Sequence, residues 1–159
     1  MSTDDTIFLA ADEPLNRTVD WLASVLRLER LDDPELGDDA HLFRAPARSI
    51  DGEVLFLVEP NVYGEADPEP EDVSAIDRYS GAVEVRPLDV KDETARAQEA
   101  RAVFDELAAT QPDVALVLSH AMSWIVAAYL PGSGVHAFPA RTSLDVDDID
   151  AWRSWVVGG

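Results

Sequence analysis

Apolar and polar positions change period repeatedly along the chain, and each change marks an element. Thr6-Ile7-Phe8-Leu9-Ala10 is a short apolar run that reads as a first strand. Asp12-Glu13-Pro14 follows as a helix start, with a capping acid, a second acid and an early proline. Leu15, Val19, Leu22 and Leu26 then repeat at helical spacing, widened by Trp21 and Val25, which predicts a helix laid on a sheet. His41-Leu42-Phe43-Arg44-Ala45 and Glu53-Val54-Leu55-Phe56-Leu57-Val58 read as two strands, with the hairpin pair Asp51-Gly52 between them.

Gly81-Ala82-Val83-Glu84-Val85-Arg86 alternates as a strand, and Asp89 or Asp92 is placed to cap the helix after it, whose buried stripe is Ala100, Val103, Phe104 and Leu107. Gln111-Pro112-Asp113 ends that helix, and Val114-Ala115-Leu116-Val117-Leu118 suits a central strand. Met122 to Leu130 fits a strand or a short helix. Its β-branched and aromatic residues and the turn pair Pro131-Gly132 favour a strand, followed by one more at Gly134 to Phe138. Trp152 and Trp155, three apart after a run of aspartates, predict a short docked C-terminal helix. The expected class is α+β: a single domain over residues 1–159, with a mainly antiparallel sheet, two main helices packed on one face and a short C-terminal helix.

Two connections stand out. Glu29 to Asp39 contains Pro34, Gly37 and six acids, and is expected to be a loop with a short strand at its start. Glu59 to Asp77 is broken by Pro60, Gly64, Pro68 and Pro70, and carries six acids and no base from Glu65 onward. Its length exceeds an ordinary connection, so an exposed loop, mobile or functional, is expected.

Composition narrows the function classes. The chain has 32 Asp+Glu against 12 Lys+Arg, a net charge of -20, and 47% hydrophobic residues interspersed with the charge, so it should fold. Its field repels nucleic-acid phosphates and anionic membrane and speeds encounter with basic proteins. Lys91 is the only lysine, and GC-rich codon usage or a salt-loving source also produces such a surface. Cysteine is absent, which removes disulfides and thiolate chemistry. Met1-Ser2-Thr3-Asp4-Asp5 lacks the features of a signal peptide, and no apolar run approaches a membrane span, so a cytoplasmic protein is expected.

Catalytic constellations are weak. His41, His120 and His136 each lie in or beside an expected strand. Ser119-His120 is the most suggestive pair, but neighbours on a strand point to opposite faces and do not form a nucleophile and base couple. No phosphate-binding glycine loop, dinucleotide fingerprint or zinc helix motif is present. Asp145-x-Asp147-Asp148-x-Asp150 lacks the glycine and the terminal glutamate of a calcium loop. The expectation is a binding protein without cofactor or metal, and not an enzyme.

Glu29–Asp39, Glu65–Asp77 and Asp145–Asp150 hold half of all the acids. Loops so charged, converging on one rim, would steer a basic protein. The candidate partner-binding residues are Tyr63, Glu65, Asp67, Glu69, Glu71, Asp72, Asp145, Asp147 and Asp148, with Trp21, Tyr79, Trp152 and Trp155 as further candidate aromatic anchors, although buried tryptophan is the default reading.

Arg78-Tyr79-x-x-Ala82-Val83, the helix with Phe104-Asp105-x-Leu107, and Asp113-Val114-Ala115-Leu116-Val117-Leu118 resemble the immunity proteins of bacterial polymorphic toxins, in particular the group related to the swarming-inhibition toxin immunity proteins. Phe8-Leu9-Ala10, the Leu15 to Leu28 helix and Ala151-Trp152 fit as well. The resemblance implies a cytoplasmic antitoxin that binds a cognate protein toxin and blocks its active site or substrate access. It supplies no transferable functional residues, and Asn61 to Asp77 looks specific to this chain. The alternative is an acidic, secretion-chaperone-like adaptor for an exported protein, which would hold an extended segment and not a folded toxin.

Overall fold

A computed structural model describes residues 4–11 and 14–158. Strand β1 (Asp5–Ala10) leads to helix α1 (Leu15–Leu26), the short strand β2 (Glu29–Leu31), and the meander β3 (His41–Pro46), β4 (Glu53–Pro60) and β5 (Gly81–Pro87). Helix α2 (Glu93–Ala109) then precedes β6 (Ala115–His120), β7 (Trp124–Leu130), β8 (Gly134–Ala137) and the short helix α3 (Ile149–Trp152). The segment whose periodicity fitted strand or helix is strand β7.

All eight strands form one antiparallel sheet in the order β2-β3-β4-β5-β1-β6-β7-β8. The first strand is thus central, with Ile7 opposite both Val83 and Leu118. The outermost strands, β2 and β8, span three and four residues, so each sheet edge offers little backbone for uncontrolled pairing.

Alternation along the strands builds two cores. On one face Ile7, Leu9, Phe43, Phe56, Val83, Leu116 and their neighbours meet Val19, Leu22 and Leu26 of α1 and Val103, Phe104 and Leu107 of α2. On the other, Phe8, Ala82, Val117, Ile125 and Ala128 are covered by Ile76, Tyr79, Leu144, Trp152 and Val156. The two main helices therefore share one face, and α3 docks on the opposite one.

Helix ends follow local chemistry. At α2 the Asp92 carboxylate accepts the N–H of Thr94 at 3.0 Å, satisfying one of the free donors of the first turn. At α1 the cap position is Pro14, which gives no side-chain capping bond. The capping acids expected there, Asp12 and Glu13, lie outside the described residues. The end of α1 is a left-handed turn at Arg27, φ 56°, where Leu28 N–H returns to the Ala23 carbonyl at 2.9 Å.

Two charged side chains tie the β3–β4 hairpin to the helices. Fully buried Glu99 of α2 accepts from the backbone N–H groups of Arg48 and Ser49, so a buried charge is matched by donors and not by a cation. Arg48 reaches Glu106 of α2 at 2.8 Å, donates to the Leu26 carbonyl at the end of α1, and lies over the Phe56 ring.

The connection from Glu59 to Asp77 differs from an exposed loop over its whole length. Its second half turns inward: Ala75 and Ile76 are buried in the second core, and Tyr79 follows them. Asn61 donates to the Ile76 and Tyr79 carbonyls, while Asp77 accepts the N–H groups of Glu65 and Ser74. These bonds fold the segment back on itself and leave the stretch up to Asp72 largely to solvent.

Candidate protein-docking surface

The solvent-facing half of that connection carries Glu65, Asp67, Glu69, Glu71 and Asp72, all exposed, with a turn of 3-10 helix over Pro70–Asp72. Ser74 forms an antiparallel bridge with Asp145, and Ala75 N–H donates to the Leu144 carbonyl at 2.9 Å. The Pro70–Asp72 turn thereby meets the corresponding turn at Val146–Asp148. Two of the three acid-rich segments expected to converge are brought together, and Glu65, Asp67, Glu69, Glu71, Asp72, Asp145 and Asp147 enter no ion pair among the described residues. Asp148 is half-buried and accepts the N–H of Ser143 at 2.7 Å, so it shapes the rim from within.

The third segment, Asp32 to Ala40, joins β2 to β3 at the sheet end from which the Asn61–Ser80 connection also leaves, since His41 pairs with Val58 and Pro60 with Gly81. Glu29, in β2, is held by Arg44 of β3 at 3.0 Å.

Among the aromatic candidates Tyr63 is 52% exposed beside Val62 at 72%, and both adjoin the acids. Tyr79 and Trp152 are buried core residues, Trp21 packs on the helix-side core, and Trp155 stacks on His136 at 4.3 Å. Between rim and C-terminal segment lies a cleft of about 530 Å³ with Val73, Ile149 and Trp152 in its wall and Arg78 and Arg153 at its margin.

At the other end of β1 the charges are paired. His120 Nδ1 lies 2.6 Å from Asp5 and Nε2 lies 3.1 Å from Glu93. Burial opposes the imidazolium, yet the Asp5 charge and hydrogen bond, helped by Glu93, raise the His120 pKa above its ordinary value. Burial outweighs the same pairing on the other side, and the Asp5 pKa is raised as well. Ser119 donates its hydroxyl to the Thr6 carbonyl at 3.2 Å, directed away from His120. Asp4 is bound by Arg86 and Arg96; against burial, a hydrogen bond with Glu84, then the hydrogen bond and charge of Arg86 and the charge of Arg96 lower its pKa, while burial and the neighbouring Asp4 raise that of Glu84.

A feature that sequence reasoning missed lies on the sheet face away from α1 and α2. There Leu42 of β3 is register partner to Leu57 of β4, and Leu55 lies two residues along. All three are partly exposed and belong to neither core. With Leu36 of the β2–β3 loop they line a groove of about 260 Å³, closed along its sides by Asp33, Glu84 and Arg86. The signal was legible: Val54 to Val58 is apolar at every position, which in a strand calls for cover on both faces, and α1 and α2 supply it on one.

Among the described residues no group of three or more His, Asp or Glu is placed to hold a metal ion, and no helix is long and apolar enough to cross a membrane. No family model matches the chain, and no match was found among curated proteins or solved structures. The functional argument therefore stands on the residues themselves.

Proposed function

We propose that this chain is an immunity protein that binds and neutralises a cognate bacterial toxin domain through its acidic surface. The observation that carries the reading is the junction of the Glu65–Asp72 and Asp145–Asp147 acids at the Ser74–Asp145 bridge, a rim of carboxylates that form no ion pair among the described residues. Unpaired carboxylates on one rim attract a basic protein at long range and raise its association rate. Exposed Val62 and Tyr63 beside them supply apolar contact once the partner has arrived. Because the rim is braced by the buried Tyr79 and Trp152, it meets the partner preformed and loses little entropy on binding.

The test is coexpression with the product of the neighbouring gene. Rescue of growth, together with copurification of a direct complex, supports the reading. A toxic product that kills despite abundant coexpressed protein, with no complex recovered, removes it.

A further inference from the structure

The leucine groove lies on the open half of the sheet, apart from the acidic rim. A solvated antiparallel face ordinarily alternates, with polar residues outward. Here the outward positions of β3 and β4 include Leu42, Leu55 and Leu57, flanked by Arg44, which is held by Glu29 and Glu53, while the comparable half of the same face, over β1, β6 and β7, is buried under Tyr79, Leu144 and Trp152. An apolar strip left uncovered on an otherwise covered sheet marks a contact surface.

The charges around the groove define its occupant. The loop that borders it through Asp33 and Leu36, Asp32 to Ala40, contains Asp32, Asp33, Glu35, Asp38 and Asp39 and no base. Glu84 stands in the groove wall, and the cation beside it, Arg86, is already held by Glu84 at 2.7 Å and Asp4 at 3.0 Å. An acidic occupant is repelled by this frame. A second copy of the chain, with its own net charge of -20, is repelled as a whole. A cationic one is attracted, and its apolar side chains find leucine at the floor.

We infer that the Leu42–Leu55–Leu57 groove, bordered by the Asp32–Asp39 loop, is the anchor site for a protein segment in which aliphatic side chains alternate with lysine or arginine. The inference deepens the docking reading above and rests on its basic partner. It assigns the two acidic regions different work: the Glu65–Asp72 rim steers, and the groove holds. Its volume of about 260 Å³ admits one or two aliphatic side chains and not a folded domain, so the occupant is a protruding loop or terminus of the partner.

The experiment uses the full chain labelled with nitrogen-15 and the probe acetyl-Lys-Leu-Lys-Leu-Lys-amide, with acetyl-Lys-Ser-Lys-Ser-Lys-amide as control. The leucine peptide should shift the amides of Leu36, Leu42, Leu55 and Leu57, and the serine peptide should not. Leu57→Ser should weaken binding about tenfold, the loss expected for one aliphatic anchor. Asp33→Asn, which keeps the oxygen that accepts the Glu35 N–H, should weaken it less and flatten its salt dependence, and it guards against a folding defect in the leucine variant. Equal binding of both peptides, shifts confined to residues 62–72 and 145–150, or full affinity in both variants would overturn the inference. So would a concentration-dependent dimer in sedimentation that buries the same leucines. Peptide capture without any neutralised toxin leaves the groove standing and removes the immunity role. Neutralisation that survives Leu57→Ser removes the groove and keeps the role.

Discussion

The carboxylate of Glu99 receives both the backbone N–H and the hydroxyl of Ser49 at 2.8 Å, although the two residues are 50 positions apart and Glu99 is fully buried. Together with the Arg48 N–H, these donors make an anion site inside the protein that fixes the β3–β4 turn on α2. Glu99→Ala leaves two backbone donors without an acceptor, and should lower unfolding free energy by about 3 kcal/mol. Glu99→Gln keeps one acceptor oxygen and should cost less. Urea titrations of the three proteins check the order.

Tyr79 offers a second test, at alkaline pH. Burial pushes its pKa up to about 12 from 10.0, and its hydroxyl accepts the Val157 N–H at 3.2 Å. With the folded value above the unfolded one, Tyr79 supports the fold fully below pH 10 and loses that support as pH rises toward 12, an amount of about 2–3 kcal/mol. Tyr79→Phe lacks this titration and sacrifices one hydrogen bond, worth about 1 kcal/mol. The variant should be the less stable protein near neutrality and the more stable one above about pH 11. A gap that stays constant with pH would show that Tyr79 is not the group involved.

His120 gives the same sign in a lower window. Its pKa is raised from 6.5 by Asp5 and Glu93, against burial, so its contribution is fully present below pH 6.5 and fades as pH rises through the folded value. Relative to His120→Gln, the wild type should lose stability across that window. Asp5, also raised by burial, titrates in the same sense from 3.8 upward. Thermal unfolding of both proteins over about pH 5 to 9 reads the difference.

The rim predicts kinetics and not stability. Replacing Glu65, Asp67, Glu69, Glu71 and Asp72 with their amides should slow association with the basic partner proposed above and reduce its salt dependence, leaving dissociation nearly unchanged. Stopped-flow mixing at low and high salt measures both. An on-rate equal to the wild type's at low salt would take this loop out of the mechanism.

Much of the architecture was readable from periodicity, because strands such as Gly81–Pro87 alternate and α2 carries its apolar stripe at helical spacing. What escaped was long-range. Nothing local in Ala75-Ile76-x-x-Tyr79 distinguishes a loop that dives into a second core from one that stays in solvent, since its partners Leu144 and Trp152 lie far along the chain. The meeting of the acids at Ser74 and Asp145 was likewise a tertiary fact. Composition could count carboxylates but not seat them. The leucine groove is the reverse case, for Leu55 and Leu57 were visible as outward apolar positions in β4 and were absorbed into a reading of strand alone.

The central position of β1 carries a cost in time. Its residues are made before those of β5 and β6, so Ile7 must wait for Val83 on one side and Leu118 on the other. Until β6 has been made, β1 can pair only with β5 of the meander, and the apolar stretch Ile7-Phe8-Leu9 lacks its second flanking strand. Sheet closure is therefore a late, non-local event, slow for a chain of this length. In the interval the abundant carboxylates keep neighbouring nascent chains apart, a service to solubility that the same charges perform before any partner is met.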